Sequence, residues 1–262
     1  MPFTPWSDLR TTDFASLDRE RSVALLPVGA TEQHGPHLPL STDTVLAEEM
    51  AKLSGAAAER AEVLLLPAVA VAKSDEHVGF AGTLTLDGPT LLAVLEQIGA
   101  SVARAGVGRF VCLNAHGGNV PVLQQLCRSL RLKHDMLAVT AGWIGMGFPE
   151  GAVPERERAE GIHAGLVETA AMLHFRPDLV DMSKAEHFVP TSSAVAARNE
   201  VLRMMGSVTM GWRSEDLHPA GAAGDARGAT AELGARLATH SAARFGKLLD
   251  EVAAMALPEV FA

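Results

Sequence analysis

The sequence predicts an α/β fold of three layers, α/β/α, around a mostly parallel sheet. Three observations predict it. Short apolar runs alternate with helical patterns along the chain, the signature of a parallel sheet covered on both sides. The first run, Ser22 to Val28, is largely apolar, as expected of a strand buried on both faces. Residues able to bind metals crowd into the loops that follow two of these runs, where open α/β sheets build their sites.

The elements follow in order. Ser22 to Val28 reads as a strand, then Thr44 to Leu53 as a helix that Asp43 or Thr42 can cap. Val63 to Val71 is the next strand, and Lys73 to Thr83 a loop. Pro89 to Ala105 is a helix with proline near its start. Arg109 to Leu113, Val120 to Lys133 and Met136 to Thr140 read as strand, helix and strand, with Asn119 as the helix cap. Residues 142–160 form a loop rich in Gly, Pro and Glu, and a helix from Ala164 to His174 stops before Pro177. Phe188 to Arg227 is irregular, and a last helix starts near Asp225 and runs to Met255.

Composition narrows the class. The 262 residues are 48% hydrophobic and 20% charged, a globular rather than a disordered balance. No linker or repeat divides them, so residues 1–262 are expected to form a single domain. The formal charge of −9 argues against nonspecific nucleic-acid binding. No apolar run approaches a membrane span, and the N-terminus has no signal pattern. Cys112 and Cys127 form no CxxC motif and read as reduced thiols of a cytoplasmic protein.

Three segments carry chemistry. Glu32, His34, His37 and Asp43 fall within twelve residues of a loop broken by Gly35, Pro36 and Pro39. Such a nitrogen and oxygen donor set suits zinc or manganese. Asn114-Ala115-His116-Gly117-Gly118-Asn119 is a tight turn between strand and helix, and its glycines let backbone pass close to a ligand. Gly161-Ile162-His163-Ala164-Gly165-Leu166-Val167-Glu168 leads into a helix. At about 100° per residue, His163 and Glu168 do not share a regular helical face. To serve one site, His163 must lie in the loop or first turn while Glu168 reaches in from the helix body. The sequence has no G-x-G-x-x-G after a strand and no Walker loop, which excludes a nucleotide-binding reading.

Taken together, the TEQHGPHLPLSTD loop, the NAHGGN turn and the HAGLVET segment resemble the creatininase (creatinine amidohydrolase) family, with support from DEHVGFAGTL and from Gly224-Asp225 followed by Ala229-Thr230-Ala231-Glu232. The resemblance covers about residues 22 to 235 and implies a creatininase-like fold. It implies two divalent ions per subunit (Zn2+ and/or Mn2+, with Fe2+ as a further option) held by Glu32, His34, Asp43 and His116, with Asp43 bridging. It also implies a homo-oligomer, a hexamer, and His163 as the group that moves a proton to the leaving nitrogen. Creatininase itself has a metal-binding Glu two residues after the turn His, where this chain has Gly118. Glu168 is the expected replacement, as ligand and catalytic residue. Glu76 and His77, on a loop after a strand, are expected to contact substrate, and His37 to support the ligands from behind. The reading is a dimetal amidohydrolase of a small cyclic or linear amide. Its alternatives are a peptidase trimming a modified peptide such as a mycofactocin-type precursor, and a non-catalytic oligomer cemented by metals.

Overall fold

The computed structural model describes residues 3–256. Met1, Pro2 and residues 257–262 of the expected single domain lie outside the described residues. Five parallel strands form the main sheet, in the order β1 (Thr4–Pro5), β3 (Glu62–Leu65), β2 (Ser22–Val28), β4 (Arg109–Asn114), β5 (Leu137–Gly142). The helices are α1 (Thr42–Ala57), α2 (Gly88–Arg104), α3 (Val120–His134), α4 (Glu155–Glu160), α5 (Leu166–Phe175), α6 (Thr191–Arg198), α7 (Ser214–Leu217) and α8 (Ala231–Ala254). A small antiparallel pair, β6 (His187–Phe188) and β7 (Gly224–Asp225), stands apart from the main sheet.

The period of two along each strand sorts the core into two halves. Val23, Leu25, Val111 and Leu113 point to one face, where they pack with Leu46 and Met50 of α1, Met172 of α5 and Phe245 and Leu249 of α8. Ala24, Leu26, Phe110 and Cys112 point to the other, against Leu91 and Leu95 of α2 and Leu123 and Leu126 of α3. Every residue of β2 and β4 is buried, which is why both read as unbroken apolar runs. The result is the three-layer α/β/α fold.

Strand order places the site. From β2 the chain moves to β3 on one side, then returns to β4 on the other. The loops leaving the carboxyl ends of β2 and β4 therefore part from one another, and such a switch point opens a crevice. Those two loops carry Glu32, His34 and His116.

Several boundaries differ from expectation. Strand β3 ends at Leu65, with only an isolated bridge between Val28 and Val69 beyond it. Asp43 is not a cap: α1 begins at Thr42 after Ser41, and Asp43 sits buried in the first turn. Asn119 stands at the N-cap of α3 but makes no side-chain cap bond. Its amide instead ties three loops, accepting from Lys73 N (3.1 Å) and donating to Gly29 O (3.0 Å) and Asn114 Oδ1 (3.2 Å). The last helix starts at Ala231, capped by Thr230 Oγ1; Asp225 instead accepts from Arg227 N in a short turn upstream. The irregular stretch holds α6, α7 and β7. Among the described residues no helix is long and apolar enough to cross a membrane.

Candidate metal centre

Glu32, His34, Asp43, His77, His116, His163 and Glu168 are all buried and meet at the carboxyl end of β2 and β4. Their donor atoms fall into three overlapping groups: Glu32 with His77 and His116, Glu32 with His34 and His163, and His34 with Asp43 and Glu168. Glu32 Oε1 lies 3.1 Å from His116 Nδ1, 3.2 Å from His77 Nε2 and 3.8 Å from His163 Nδ1. Asp43 presents Oδ1 to His34 Nε2 (3.2 Å) and Oδ2 to His116 Nδ1 (3.5 Å), so one carboxylate spans two groups.

These contacts are close but badly aimed for hydrogen bonds. Both Glu32 oxygens, Asp43 Oδ2 and His34 Nε2 are buried without a hydrogen-bond partner. Orphaned polar atoms are rare in folded proteins, because each forfeits its hydration. Donor atoms around an ion with bonds of about 2.0 Å point at the ion, and stand roughly 3.3 Å from one another at tetrahedral angles. The spacings and the missing hydrogen bonds fit that arrangement, and the buried cluster suits two divalent ions.

The outer ring nitrogens agree. His34 Nδ1 donates to Glu32 O (3.1 Å), His116 Nε2 to Lys73 O (2.9 Å) and His163 Nε2 to Gln33 O (2.8 Å). A carbonyl can only accept, so each neutral ring carries its proton there and turns a lone pair toward the carboxylates. Second partners of this kind fix the tautomer of metal-binding histidines.

Electrostatics show the cost of the cluster without cations. Burial pushes the carboxyls of Asp43 and Glu168 up, Glu168 to about 7. Burial would also raise Glu32, but the imidazoles of His116, His77 and His163 outweigh it and hold Glu32 well below the usual carboxylate range. His34 resists burial because Asp43 faces it, and rises to about 9. His163 falls well below the usual imidazole value through burial, with His34 and His77 pushing the same way.

The structure gathers Glu32, His34, Asp43, His116, His163 and Glu168 at one centre and leaves Glu76 at its edge and His37 outside it, with some changes of place. His77 is the clearest: expected at the substrate, it sits within reach of Glu32 and His116, its Nδ1 beside Ser214 Oγ and Gln33 Nε2 (both 2.7 Å). No motif spacing tied residue 77 to residue 32, so only the fold could join them. His163 lies in the loop before α5, as its spacing required, but close enough to Glu32 and His34 to join a ligand group. Glu168 faces inward from the first turn of α5 and accepts from Ala164 N (2.6 Å). His37 meets no carboxylate; it bonds Thr169 Oγ1 (3.0 Å) and stacks on Phe188.

A cavity of about 590 Å³ opens onto the centre. His77, His116 and His163 form its floor, Lys73 and Glu76 one wall, and Met205, Met210 and Trp212 an apolar wall. Trp212 belongs to no motif of the sequence, so only the fold places it at the cavity.

Comparison with known proteins agrees with this geometry. The family profile described as "Creatininase: Creatinine amidohydrolase" matches residues 7–249. The chain is 37% identical over 176 residues to the mycofactocin precursor peptide peptidase of Mycolicibacterium smegmatis, covering 66% of this chain and 65% of that protein. It is 33% identical over 255 residues to the protein of that description from Mycobacterium ulcerans, covering 93% and 88%. It is also 33% identical over 188 residues to the creatinine amidohydrolase of Pseudomonas putida, covering 65% and 70%. Solved structures share the fold: one of creatinine amidohydrolase (creatininase) superposes with a TM-score of 0.75 at 24% identity, covering 97% of this chain and 99% of that one, and "Creatininase Mn" with 0.74 at 23%, covering 95% and 98%. With the profile spanning four of the five strands of the main sheet, the cavity wall and all the ligand-bearing loops, the chain belongs to the creatininase (creatinine amidohydrolase) family.

Proposed function

We propose that this chain is a metal-dependent hydrolase of a C–N amide bond, in which Glu32, His34, Asp43 and His116 would hold two divalent ions, with Asp43, which faces both His34 and His116, shared between them and Glu168 completing the set. The observation that carries this reading is the convergence of buried donor atoms that have no hydrogen-bond partner in Glu32, His34 and Asp43. His77 is a further donor. Zn2+, Mn2+ or Fe2+ bound there supplies Lewis acidity and makes water more acidic. The protein's own residues do the rest. His163 lines the cavity floor with Nε2 anchored on Gln33 O, which leaves Nδ1 to take a proton from the attacking water and pass it to the leaving nitrogen. An amide nitrogen leaves poorly unless protonated. Burial keeps His163 neutral, the form that can accept, and the neighbouring His34 and His77 push in the same direction.

The first reading of the substrate is a small cyclic or linear amide. The Gly-Gly form of the turn, with Gly118 in place of a carboxylate, separates this chain from creatininase proper and makes creatinine a poor choice. A second reading, the end of a modified peptide, has its own support. The cavity exceeds the needs of one small ring, and relatives at 33–37% identity are described as mycofactocin precursor peptide peptidases. Residues 1–262 act as one catalytic domain in the cytoplasm. The chain works as a homo-oligomer, a hexamer by family resemblance, with exposed Val201, Leu202, Met205 and Val208 as its contact surface. Met204, in the same stretch, is instead packed with Leu217 and Ala223.

Metal analysis of the purified protein should find two divalent ions per chain. Chelation should abolish amine release from a panel of cyclic ureides, formamides and short peptides, and readdition should restore it. A metal-free protein with full activity would overturn the reading. Hydrolysis confined to peptides, or to small amides, decides the substrate.

A further inference from the structure

Gly118 does not owe its identity to backbone conformation, since its φ is not among the positive ones. It owes it to space. A Cβ at residue 118 would stand 2.2 Å from Glu76 Oε1, 2.4 Å from His116 Nε2 and 2.7 Å from Lys73 O, closer than real Cβ contacts come. A side chain there and the present position of Glu76 exclude one another. Glu76 arrives from the turn Asp75–His77 and is mostly buried. Its Oε1 lies 3.4 Å from His116 Nε2, on the edge of the ring turned away from Glu32 and Asp43. Its Oε2 is held by Lys73 Nζ at 3.1 Å, and the Lys73 carbonyl accepts the same Nε2 proton of His116. The Lys73 ammonium also pairs with Asp75.

We propose that Gly118 and Glu76 are a matched pair, in which the glycine leaves room for Glu76 to serve as the positioning carboxylate of His116. The Lys73 carbonyl already takes the Nε2 proton, so the Glu76 carboxylate acts by its charge, favouring positive charge on the ring and making Nδ1 a better donor toward the ions. The family resemblance implies a metal-binding carboxylate at the residue where this chain has Gly118. This chain places a carboxylate at the turn from a different loop, and it acts through the histidine. The inference rests on the two-metal reading above and goes beyond it by giving Glu76 and Gly118 one shared task.

The test is Zn2+ binding by competition with a chromophoric chelator, on the full chain and on Glu76→Gln, Glu76→Ala, Gly118→Ala and the Glu76→Ala/Gly118→Ala double variant. Glu76→Gln keeps the side-chain volume and guards against a folding defect; unfolding of each metal-free variant is followed alongside. Glu76→Gln and Gly118→Ala should each weaken one of the two sites roughly 10–100-fold, the usual size for the outer partner of a metal-binding histidine. The other site should stay within about twofold. The double variant should lose less than the two single losses combined, because part of the damage done by the added methyl is the displacement of Glu76, the rest falling on His116 and the Lys73 carbonyl. Unchanged affinity in Glu76→Gln and Glu76→Ala, or fully additive losses in the double variant, overturns the pairing while two ions in the parent chain leave the metal reading intact. A parent chain that takes up no Zn2+ overturns the metal reading and this inference with it.

Discussion

His116 and His163 reach one centre from opposite kinds of support. His116 stands two residues beyond β4, a fully buried central strand, and Asn114 brackets it by donating Nδ2 to His116 O (2.6 Å) and accepting from His116 N (3.2 Å). His163 has no strand of the main sheet beneath it. It pairs with Ala223 through two backbone hydrogen bonds, His163 N to Ala223 O at 3.1 Å and Ala223 N to His163 O at 2.7 Å. The buried Glu157 locks that contact, accepting from Leu166 N (2.7 Å) with one oxygen and Asp225 N (2.8 Å) with the other. Next to His163, Ala164 holds φ at 55°, a costly conformation for a residue with a Cβ. One imidazole is held by the layered core; the other depends on a clamp between distant loops. Disturbing each support in turn should show whether this difference is real.

The largest effect is expected where the two meet. Asp43→Asn removes the carboxylate that faces both His34 and His116. It should lose metal and nearly all turnover, measured by metal analysis and a rate assay on one preparation. A variant with full occupancy and rate would remove Asp43 from the bridge. His163→Ala comes next. Both ions should remain while the rate drops by on the order of 10²–10⁴, the span of general acid–base catalysis. Loss of an ion instead would make His163 a ligand, a position its distance to Glu32 permits.

Proton release gives the third expectation. Without cations the centre holds protons on His34, up to about 9, and on Glu168, up to about 7, with His116 raised as well. Ions must displace those protons, so affinity should climb with pH through 7 and on toward 9, by about tenfold per unit for each proton displaced. Calorimetry in buffers of different ionisation enthalpy counts the protons. A flat affinity between pH 6 and 9 contradicts the protonated cluster.

How much of this was legible in the sequence follows the same division. The strands β2 and β4, the switch-point loops and the ligand-type residues at 32, 34, 43 and 116 all sit in local patterns: apolar runs, then Gly and Pro, then donors. His77 joins Glu32 across 45 residues, Ala223 joins His163 across 60, and Glu157 lies in the stretch read as a loop rich in Gly, Pro and Glu. No local period encodes such pairings, because they exist only after the loops fold against one another. The cap role open to Asp43 went unfilled for a related reason. Local chemistry allowed either role, and the tertiary cluster took the carboxylate.

The smallest expected effect tests the clamp itself. Glu157 is nearly inaccessible, and Gly161, Gly165 and Gly224 crowd its carboxylate: a Cβ at each would come within 2.3, 2.2 and 2.8 Å of Oε1. Glu157→Ala would strand two buried amides, each costing roughly 1–3 kcal/mol when unpaired. The structure should lose stability by a few kcal/mol at most, since the parent also bears the burial that pushes Glu157 up. Glu157→Gln keeps one acceptor and should lose about half as much. The informative readout is the division of effects. If the clamp serves His163 and not His116, turnover should fall about tenfold with both ions retained, and hydrogen exchange should quicken at Leu166 and Asp225 but not in β4. Faster exchange in β4, or metal loss equal to that of Asp43→Asn, would mean that the two histidines share one support.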